Sequence, residues 1–400
     1  MLKILCLASQ NLDRPENGAA VRAGNIFKLL ARQGEVDLVL GGFQKLWGGK
    51  LPSSCREFNL IRTVYFEPTP RPSLRDRIRH ELDPRFMNTS WIQATDADRV
   101  WLKSVLPAYD LVWIHGMDLA NAFGLWHWPA SVLDIDDIQS SLHLSRLAQA
   151  AGAREKIRQR WVAARWRRHE KKLCERFNAV CVCSDPDVPK LGWPRNTFVV
   201  PNGFAPPATP LLWQPAAPPR IGFIGNFGHP PNREGIDWFL DCVWPSIVKK
   251  NPPAILRIAG GGQTNPGWAR PNVDVLGWVA DTQAEMATWS LAIVPVLTGG
   301  GTRVKIAEYM SRRCPIVSTA LGAYGYGLAD GEEILLADHA DTFAARCLQI
   351  LEDPALGEKL AHNSWKKFIN HWTWDAQADR IAQVVQFALA DSRRSPKVQP

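Results

Sequence analysis

The sequence TGGGTRVKIAEYMSRRCPIVST, from Thr298 to Thr319, joins three consecutive glycines to a charged segment and then to an apolar run. Glycine-rich turns let backbone N–H groups crowd around an anion, and the N-terminus of a following helix carries partial positive charge. Arg303 and Lys305 add two full positive charges, whereas Glu308 is suited to accept hydrogen bonds from sugar hydroxyls. The stretch therefore predicts a site for a nucleotide or a nucleotide sugar. Its expected ligand contacts are Gly299, Gly300, Gly301, Thr302, Arg303, Lys305 and Glu308.

On both sides of this stretch the chain alternates apolar strand-like runs with amphipathic segments, as in KILCLAS at 3–9 and RIGFIGNFG at 220–228. This alternation predicts the α/β class with parallel sheets. Residues 204–219 are rich in proline and alanine, which is typical of a linker. We therefore expect two Rossmann-like domains that face each other across a ligand-binding cleft. The expected boundaries are 1–203 for the N-terminal domain, 204–219 for the linker, 220–372 for the C-terminal domain, 373–390 for a final helix and 391–400 for a tail.

The bulk composition indicates a globular protein with an anionic partner. The 400 residues are 46% hydrophobic and 22% charged, with a formal net charge of +8, which favours phosphate, a nucleic acid or an acidic membrane surface. The eight cysteines form no C-x-x-C pair, and no apolar run approaches the length of a membrane span. We expect a cytoplasmic protein, and a position at the inner face of the membrane stays open.

Several segments of the chain resemble the GT-B glycosyltransferases, specifically the large retaining family called family 4, or glycosyl transferases group 1. GTRVKIAEYMSRRCPIVSTALGAYG at 301–325 resembles that family's donor-site segment. FIGNFGHPPNREGIDWFL at 223–240 resembles the opening of the C-terminal domain in one branch. VCSDPDVPKLG at 182–192 and VVPNGF at 199–204 resemble the close of the N-terminal domain. WTWDAQADRI at 372–381 resembles the final helix, which in the family crosses back to the N-terminal domain.

The resemblance implies a transferase that takes a sugar from a nucleotide diphosphate donor with retention of the anomeric configuration. It implies that the C-terminal domain binds the donor, that the N-terminal domain binds the acceptor, and that no metal or other cofactor is essential. Glu308 matches the family's ribose-binding glutamate, and His115 matches a histidine near the transferred sugar. Gly18 matches a glycine in the first strand-to-helix loop that lies close to the donor phosphates.

The sequence departs from the family pattern at two places. Gly300 stands where the family usually carries a first donor-site glutamate, which leaves the identity of the sugar open. The segment GNFGHPPN at 225–232 lacks the arginine and lysine that commonly bind the diphosphate. Arg303 and Lys305 are therefore expected to take over the binding of the diphosphate.

Polar residues follow two apolar runs of the N-terminal domain. His115 ends the run DLVWIH, and LDIDD holds Asp134 and Asp136. The D-x-D pair could hold Mg²⁺ or Mn²⁺ with a diphosphate. Alternatively, an aspartate here could face the acceptor as a base, or cap the strand. We select His115 and Asp136 as catalytic residues and predict no metal site.

The glycines of GFIGNFG at 222–228 are a weak signal of a dinucleotide site. That interpretation needs an acid after the next strand, but AILRIAGGG at 254–262 ends in glycines. We favour a tight turn whose backbone faces the ligand, with Asn226 as a polar contact to the donor.

The segment AREKIRQRWVAARWRRHEKKLCERF at 153–177 carries ten basic residues against three acids, with Trp161 and Trp166 between them. We expect one long helix from Arg154 to Phe177. Its basic face is either simply solvated or contacts an anionic membrane or a polyprenyl-diphosphate acceptor. No recognised nucleic-acid-binding module accompanies this segment, so we expect no nucleic-acid partner.

These observations predict a retaining glycosyltransferase of the hexosyltransferase type that acts in polysaccharide or glycoconjugate biosynthesis. Its expected partners are a nucleotide-sugar donor and a glycan or polyprenyl-diphosphate-linked acceptor. Two alternatives stay open. One is an epimerase or hydrolase of nucleotide sugars on the same fold, and the other is a non-catalytic, membrane-associated subunit.

Overall fold

The computed structural model describes residues 1–9, 12, 18–42, 57–68, 73–75, 78, 92–147, 150, 152–209 and 213–394. It divides into two compact units: unit 1 comprises Met1–Pro201 and Gln377–Pro400, and unit 2 comprises Asn202–Ala376. Each unit is built on its own parallel sheet. The predicted α/β class, with parallel sheets in two domains, is therefore confirmed. No helix in the described ranges is both long enough and apolar enough to cross a membrane.

Unit 1 contains a seven-stranded sheet whose neighbouring strands are all parallel. Its strands are β1 (Leu2–Ala8), β2 (Gly34–Gly42), β3 (Asn59–Tyr65), β6 (Leu111–His115), β7 (Ser131–Asp134), β8 (Ala179–Val182) and β9 (Thr197–Val199). The spatial order is β3-β2-β1-β6-β7-β8-β9, so it reverses between β1 and β6. A short antiparallel ribbon joins β4 (Glu67–Pro68) to β5 (Ile92–Gln93). Apolar runs such as LKILCLA form these strands because a sheet covered on both faces buries nearly every side chain.

The helices of unit 1 are α1 (Gly18–Ala31), α2 (Asp96–Val105), α3 (Met117–Ala122), α4 (Gln139–Ser145), α5 (Ala153–Glu170), α6 (Leu173–Arg176) and α13 (Ala378–Arg394). Helix α13 follows unit 2 in the chain but contacts α1 and strands β6, β7 and β8. Asn178 Nδ2 donates to Asp391 Oδ2 at 2.7 Å and fixes the far end of this helix.

The single helix expected from Arg154 to Phe177 is wrong, because the structure has two helices, α5 and α6, with a break at Lys171 and Lys172. The side-chain amide of Asn196 donates to the carbonyls of Cys174 and Phe177, at 2.9 and 3.1 Å. Side-chain donors of this kind satisfy carbonyls at a helix end and allow the chain to turn into β8.

Unit 2 contains a six-stranded parallel sheet of order β12-β11-β10-β13-β14-β15. The strands are β10 (Arg220–Ile224), β11 (Ile255–Ala259), β12 (Val273–Gly277), β13 (Leu291–Val294), β14 (Ile316–Ser318) and β15 (Leu335–Leu336). The helices are α7 (Pro230–Trp238), which continues through a π turn at Phe239–Val243, α8 (Trp244–Lys250), α9 (Thr282–Ala287), α10 (Val304–Ser311), α11 (Ala340–Glu352) and α12 (Pro354–His371). The strand order reverses between β10 and β13.

The proline- and alanine-rich segment at 204–219, which we expected to be a linker, forms part of unit 2. The Phe204 N–H donates to the Trp372 carbonyl at 2.8 Å. The indole Nε1 of Trp213 donates to the Trp289 carbonyl at 2.7 Å. These bonds attach the segment to the body of unit 2.

The centre of unit 2 depends on the absence of a side chain at Gly222. The indole of Trp289 is fully buried against this residue of β10. A Cβ atom at position 222 would lie 1.9 Å from Cδ2 of Trp289. Since neither a central strand nor a buried indole can move freely, the contact sets the distance between β10 and the residues before β13.

We predict that Gly222→Ala destabilises unit 2 by about 1–3 kcal/mol or more, because the added methyl overpacks the core. The measurement is urea-induced unfolding followed by circular dichroism. Gly24→Ala is the matched control. Gly24 lies inside α1, and a Cβ added there would meet nothing within 4 Å. The control should stabilise its helix by up to about 1 kcal/mol. Equal stability of Gly222→Ala and the unsubstituted protein would contradict this description of the core.

Candidate functional site

The carboxyl ends of β10 and β13 are the natural binding edge of unit 2, because open parallel sheets bind ligands where the strand order reverses. Strand β10 runs into Gly225 at this edge, and β13 runs into the glycine loop at 299–301. Helix α10 begins directly after that loop. The Ile224 N–H donates to the Tyr309 hydroxyl at 2.9 Å, which fixes α10 to the end of β10.

The glycine loop has a backbone conformation that requires glycine. Gly299 and Gly301 have φ values of 119° and 64°, in a region that side chains disfavour. The Arg303 guanidinium donates to the carbonyls of Gly300, of Gly301 at 3.3 Å and of Thr298 at 3.4 Å. The arginine therefore fixes the loop by binding its carbonyl oxygens.

Lys305 extends from the first turn of α10 to the carboxyl end of β10. Its Nζ donates to Asn232 Oδ1 at 2.8 Å and lies 3.9 Å from the centre of the Phe223 ring. A Cβ atom at Gly225 would lie 3.0 Å from Nζ. The absence of a side chain at position 225 therefore leaves room for the ammonium group.

The charge of Lys305 is held by a neutral acceptor. Burial lowers the pKa of Lys305 well below its ordinary value, and the positive charge of Arg303 lowers it further. The carboxylate of Glu308 opposes both effects. The structure thus places an ammonium group where an added anion would stabilise its charged form.

Glu308 lies one turn further along α10 and is half-buried. The Thr282 hydroxyl donates to its Oε1 at 3.4 Å. Burial raises the pKa of Glu308, and the charges of Arg312 and Lys305 partly oppose that rise. The carboxylate can accept hydrogen bonds from hydroxyl groups, which is the chemistry expected of it.

Thr302 and Asn226 both form hydrogen bonds to other groups of the protein. The Thr302 hydroxyl accepts from Asn202 Nδ2 at 3.0 Å and is buried. Asn226 is exposed, and its Oδ1 accepts from the Gly228 N–H at 2.7 Å. Its backbone carbonyl accepts from Asn232 Nδ2 at 2.8 Å. Asn226 thus shapes the turn after β10, and its carbonyl orients the amide that holds Lys305.

A groove of about 410 Å³ opens between the start of α7 and the loop after β11. It is lined mainly by polar side chains, among them Glu234, Asp237 and Asn265. The Thr298 hydroxyl donates to Glu234 Oε2 at 2.5 Å. The glycine loop therefore begins beside a carboxylate that borders an open polar groove.

In unit 1, the strand order reverses between β1 and β6, and a buried ionic cluster lies at the carboxyl ends of the sheet. His115 ends β6 and is in register with Asp134, which ends β7. The Arg22 guanidinium of α1 donates to Asp134 at 2.5–3.1 Å and to the Val200 carbonyl at 2.8 Å. His115 Nδ1 is 2.8 Å from Asp134 Oδ2. Asp134 therefore binds the arginine and the histidine at once.

Asp136 completes this cluster and faces both of its cations. Its Oδ1 lies 3.3 Å from Arg22 Nε, and its Oδ2 lies 3.6 Å from His115 Nε2. The Asp136 side chain is 26% exposed, whereas those of Arg22 and Asp134 are fully buried. Of the two aspartates, Asp136 is the one that a ligand could reach.

The cluster shifts the pKa of both His115 and Asp134. Burial lowers the pKa of His115, but the hydrogen bond to Asp134 and the charge of Asp136 outweigh burial and raise it above 6.5. Burial raises the pKa of Asp134, but Arg22 and His115 outweigh burial and lower it to about 2. The cluster therefore favours a charged imidazolium beside a carboxylate.

The two carboxylates of the D-x-D pair differ in their contacts and in their exposure. The Asp134 carboxylate already contacts Arg22 and His115, which leaves Asp136 as the accessible carboxylate. Within the part of the chain that the structure describes, no group of three His, Cys, Asp or Glu side chains could hold a metal ion.

Gly18 is exposed and is the first residue of α1, and Asn17 before it lies outside the described residues.

Three residues at the carboxyl edges of the two sheets were not predicted as site residues from the sequence. They are Arg22, Asn232 and Glu234. Arg22 was detectable, because it lies on the same face of α1 as the apolar Ile26 and Leu29. Asn232 and Glu234 offered no signal, because their roles depend on contacts with residues 73 and 64 positions away in the chain.

We predict that His115 titrates above pH 6.5 and that Asp134→Asn lowers its pKa, because burial and Arg22 remain while the carboxylate is lost. The stabilisation from charged His115 is complete below pH 6.5, its unfolded value, and disappears as the pH rises through the higher folded pKa. The measurement is an NMR titration of the histidine ring signals, with His115→Gln to assign the signal.

Asp96→Asn is the control, because Asp96 is 93% exposed on α2 and should leave the His115 titration unchanged. An unshifted His115 in Asp134→Asn would show that Asp134 does not set the charge of the imidazole.

Comparisons with known proteins provide information on the fold of the chain and on unit 2. Residues 218–353 match the model of the family Glycosyl transferases group 1. An uncharacterized 44.6 kDa protein in the cps region of Klebsiella pneumoniae is 26% identical over 36% of this chain and 40% of its own length. Phosphatidyl-myo-inositol mannosyltransferase of Mycobacterium leprae is 24% identical over 47% of this chain and 52% of its own. The chain thus spans about half the length of the curated relatives that it matches.

Among solved structures, Anabaena HepE in complex with UDP and glucose aligns over 96% of this chain and 100% of its own, with a TM-score of 0.63 and 16% sequence identity. This similarity concerns the fold. Together, the comparisons support a Glycosyl transferases group 1 domain at 218–353 and, for the whole chain, the two-domain α/β fold of GT-B glycosyltransferases.

Proposed function

We propose that this protein is a glycosyltransferase that moves a sugar from a nucleotide diphosphate donor to an acceptor, with retention of the anomeric configuration. The donor diphosphate binds at the carboxyl edge of β10 and β13. The family match over 218–353 supports the transferase class, and it includes the whole glycine loop and α10.

The position of Lys305 carries this proposal. Its ammonium group lies beside Gly225 and is held by the neutral amide of Asn232. A diphosphate at this edge would stabilise the charged form of Lys305, and the N-terminus of α10 adds partial positive charge nearby. The usual arginine and lysine of the segment at 225–232 are then unnecessary, because Lys305 supplies the cation from another element.

These charges act on the leaving group. As the bond between the anomeric carbon and the diphosphate oxygen breaks, negative charge builds on the nucleoside diphosphate. Fixed positive groups at that position stabilise the transition state more than the ground state. Arg303 fixes the glycine loop that directly precedes these groups. Glu308 binds the ribose hydroxyls, in keeping with its half-buried carboxylate.

We place the new glycosidic bond on the face from which the diphosphate leaves. The acceptor oxygen bonds to the anomeric carbon, and its proton passes to the departing phosphate oxygen. In unit 1, His115 and Asp136 are the proposed groups that contact the sugar or the acceptor. Asp136 is accessible, and Asp134 keeps the imidazole of His115 in place.

The acceptor is a glycan or a polyprenyl-diphosphate-linked sugar, and the pathway is polysaccharide or glycoconjugate synthesis. Two relatives support the pathway and the transferase class. The Klebsiella pneumoniae relative is an uncharacterized protein in the cps region, and the Mycobacterium leprae relative is named phosphatidyl-myo-inositol mannosyltransferase.

A donor test separates the proposed transferase from an epimerase or hydrolase. The protein is incubated with UDP-, GDP- and ADP-sugars, with and without total cell glycolipid as acceptor. The proposal predicts nucleoside diphosphate release from one donor that depends on the acceptor. Equal turnover without an acceptor would favour a hydrolase or epimerase, and no turnover of any donor would contradict the transferase.

We predict that Lys305→Met weakens nucleoside diphosphate binding by about 10–100-fold, the worth of one charge-assisted hydrogen bond. Asn232→Asp should weaken it by about tenfold, because a carboxylate 2.8 Å from the ammonium neutralises the charge that the diphosphate needs. The measurement is calorimetric titration with UDP, GDP and ADP in EDTA.

Two controls make this experiment specific. Asn232→Ala loses the same bond to the Asn226 carbonyl but leaves the charge of Lys305, so it should bind more tightly than Asn232→Asp. Lys250→Met changes an exposed lysine that ends α8, before the amino end of β11, and should bind normally. Wild-type affinity in Lys305→Met would overturn the site.

A further inference from the structure

Helix α5 (Ala153–Glu170) has one face fixed in the core of unit 1 and an opposite face that is unusually cationic. Its buried face includes Trp166, which belongs to the hydrophobic core, and Glu170. Glu170 accepts from the backbone N–H and the hydroxyl of Ser140, at 2.9 and 2.5 Å. These contacts determine which side of α5 is exposed.

The exposed face carries an apolar stripe. Ile157 is 65% exposed and Trp161 is 52% exposed. They are one helical turn apart, and the exposed Ala164 continues the same line along the helix. The Arg165 guanidinium lies 5.2 Å from the centre of the Trp161 ring. An exposed aliphatic residue one turn from an exposed indole gives this face an apolar stripe that a partner could cover.

Cations border this stripe on both sides. Helical geometry places Arg154 and Arg158 on one side and Arg160 and Arg167 on the other. All four of these side chains belong to exposed residues. The face also includes the exposed Lys156, Arg168 and Lys171.

Helix α5 carries two acids against seven arginines and lysines. Glu170 is buried against Ser140. Glu155 accepts from Arg158 at 2.6 Å and from Gln159 at 2.6 Å, so it is bound within its own helix. Helix α4, with the sequence QSSLHLS, packs beside α5 and adds no acid.

We propose that the exposed face of α5 is a docking surface for an anionic lipid bilayer. Ile157 and Trp161 enter the interface between headgroups and acyl chains, while the flanking arginines bind lipid phosphates. An indole suits this interfacial depth because its ring is apolar and its N–H is polar. The surface lies wholly in unit 1, so the proposal stands independently of donor chemistry.

The same face fits a lipid surface better than a nucleic acid. A nucleic acid would use the cations and could stack on Trp161, but it offers nothing to an exposed isoleucine. A bilayer uses both the cations and the apolar stripe. The contribution of Ile157 therefore distinguishes the two partners.

The test is co-sedimentation of the full-length protein with phosphatidylcholine vesicles, with or without phosphatidylglycerol. We expect binding only to the vesicles that contain phosphatidylglycerol, and weaker binding at higher salt because exposed charges are screened. Ile157→Ser/Trp161→Ser and Arg160→Glu/Arg167→Glu should each lower the partition coefficient by about tenfold or more.

Matched controls change equally exposed residues elsewhere. Val100→Ser alters an aliphatic side chain of α2 that is 68% exposed, and Lys249→Glu/Lys250→Glu reverses two exposed charges of α8. Both controls should bind vesicles like the unsubstituted protein. Circular dichroism confirms that every variant is folded.

Three results would overturn the proposal. The first is equal binding to both kinds of vesicle. The second is loss of binding in the controls to the same extent as in the α5 variants. The third is binding to a single-stranded RNA but not to vesicles, with no effect of Ile157→Ser alone.

Discussion

Lys305 reaches the carboxyl end of β10 because residue 225 is a glycine, and the proposed donor site depends on this contact. A Cβ atom at position 225 would lie 3.0 Å from Lys305 Nζ. Strand order brings the glycine loop to the same edge, since the sheet reverses between β10 and β13. The Tyr309 hydroxyl then fixes α10 to β10 through the Ile224 N–H. Three separate parts of the chain thus determine the position of one charge.

The cationic side chains at the two sheet edges have different hydrogen-bond partners in unit 1 and in unit 2. In unit 1, Arg22 is paired with the carboxylate of Asp134 and donates to the Val200 carbonyl, so its charge joins α1, β7 and the segment after β9. In unit 2, the hydrogen bond of Lys305 goes to the uncharged amide of Asn232. A buried ion pair already has its partner, whereas an ammonium group held by an amide gains stability when an anion binds. This difference is why we place the diphosphate in unit 2.

Much of the fold could be predicted from the sequence, because apolar runs between amphipathic segments are a local signal. The strands around LKILCLA and RIGFI illustrate this, since both are buried central strands of parallel sheets. The turn from α6 into β8 could not be predicted, because it depends on Asn196, which lies 22 and 19 residues further along the chain from the Cys174 and Phe177 carbonyls that it binds. The proline-rich segment at 204–219 resembled a linker by composition, but its backbone bonds to Ala287 and Thr288 attach it to unit 2.

The candidate site could likewise be predicted from the sequence only in part. The glycine loop and the charges of Arg303 and Lys305 are adjacent in sequence, so their association was predictable. The structure adds that Arg303 binds carbonyl oxygens of the loop, which sequence alone could not show. Likewise, the role of Asp134 became clear only when α1 brought Arg22 to the end of β7. Spacing identified the right residue types, and long-range contacts decided what each of them binds.

The most direct test of the central claim is a crystal structure of the protein with the nucleoside diphosphate that it binds. Our account predicts the diphosphate at the carboxyl edge of β10 and β13, with an oxygen within hydrogen-bonding distance of Lys305 Nζ and others facing the glycine loop. A diphosphate that is bound elsewhere, such as beside His115 and Asp136 in unit 1, with Lys305 still bonded only to Asn232, would contradict it.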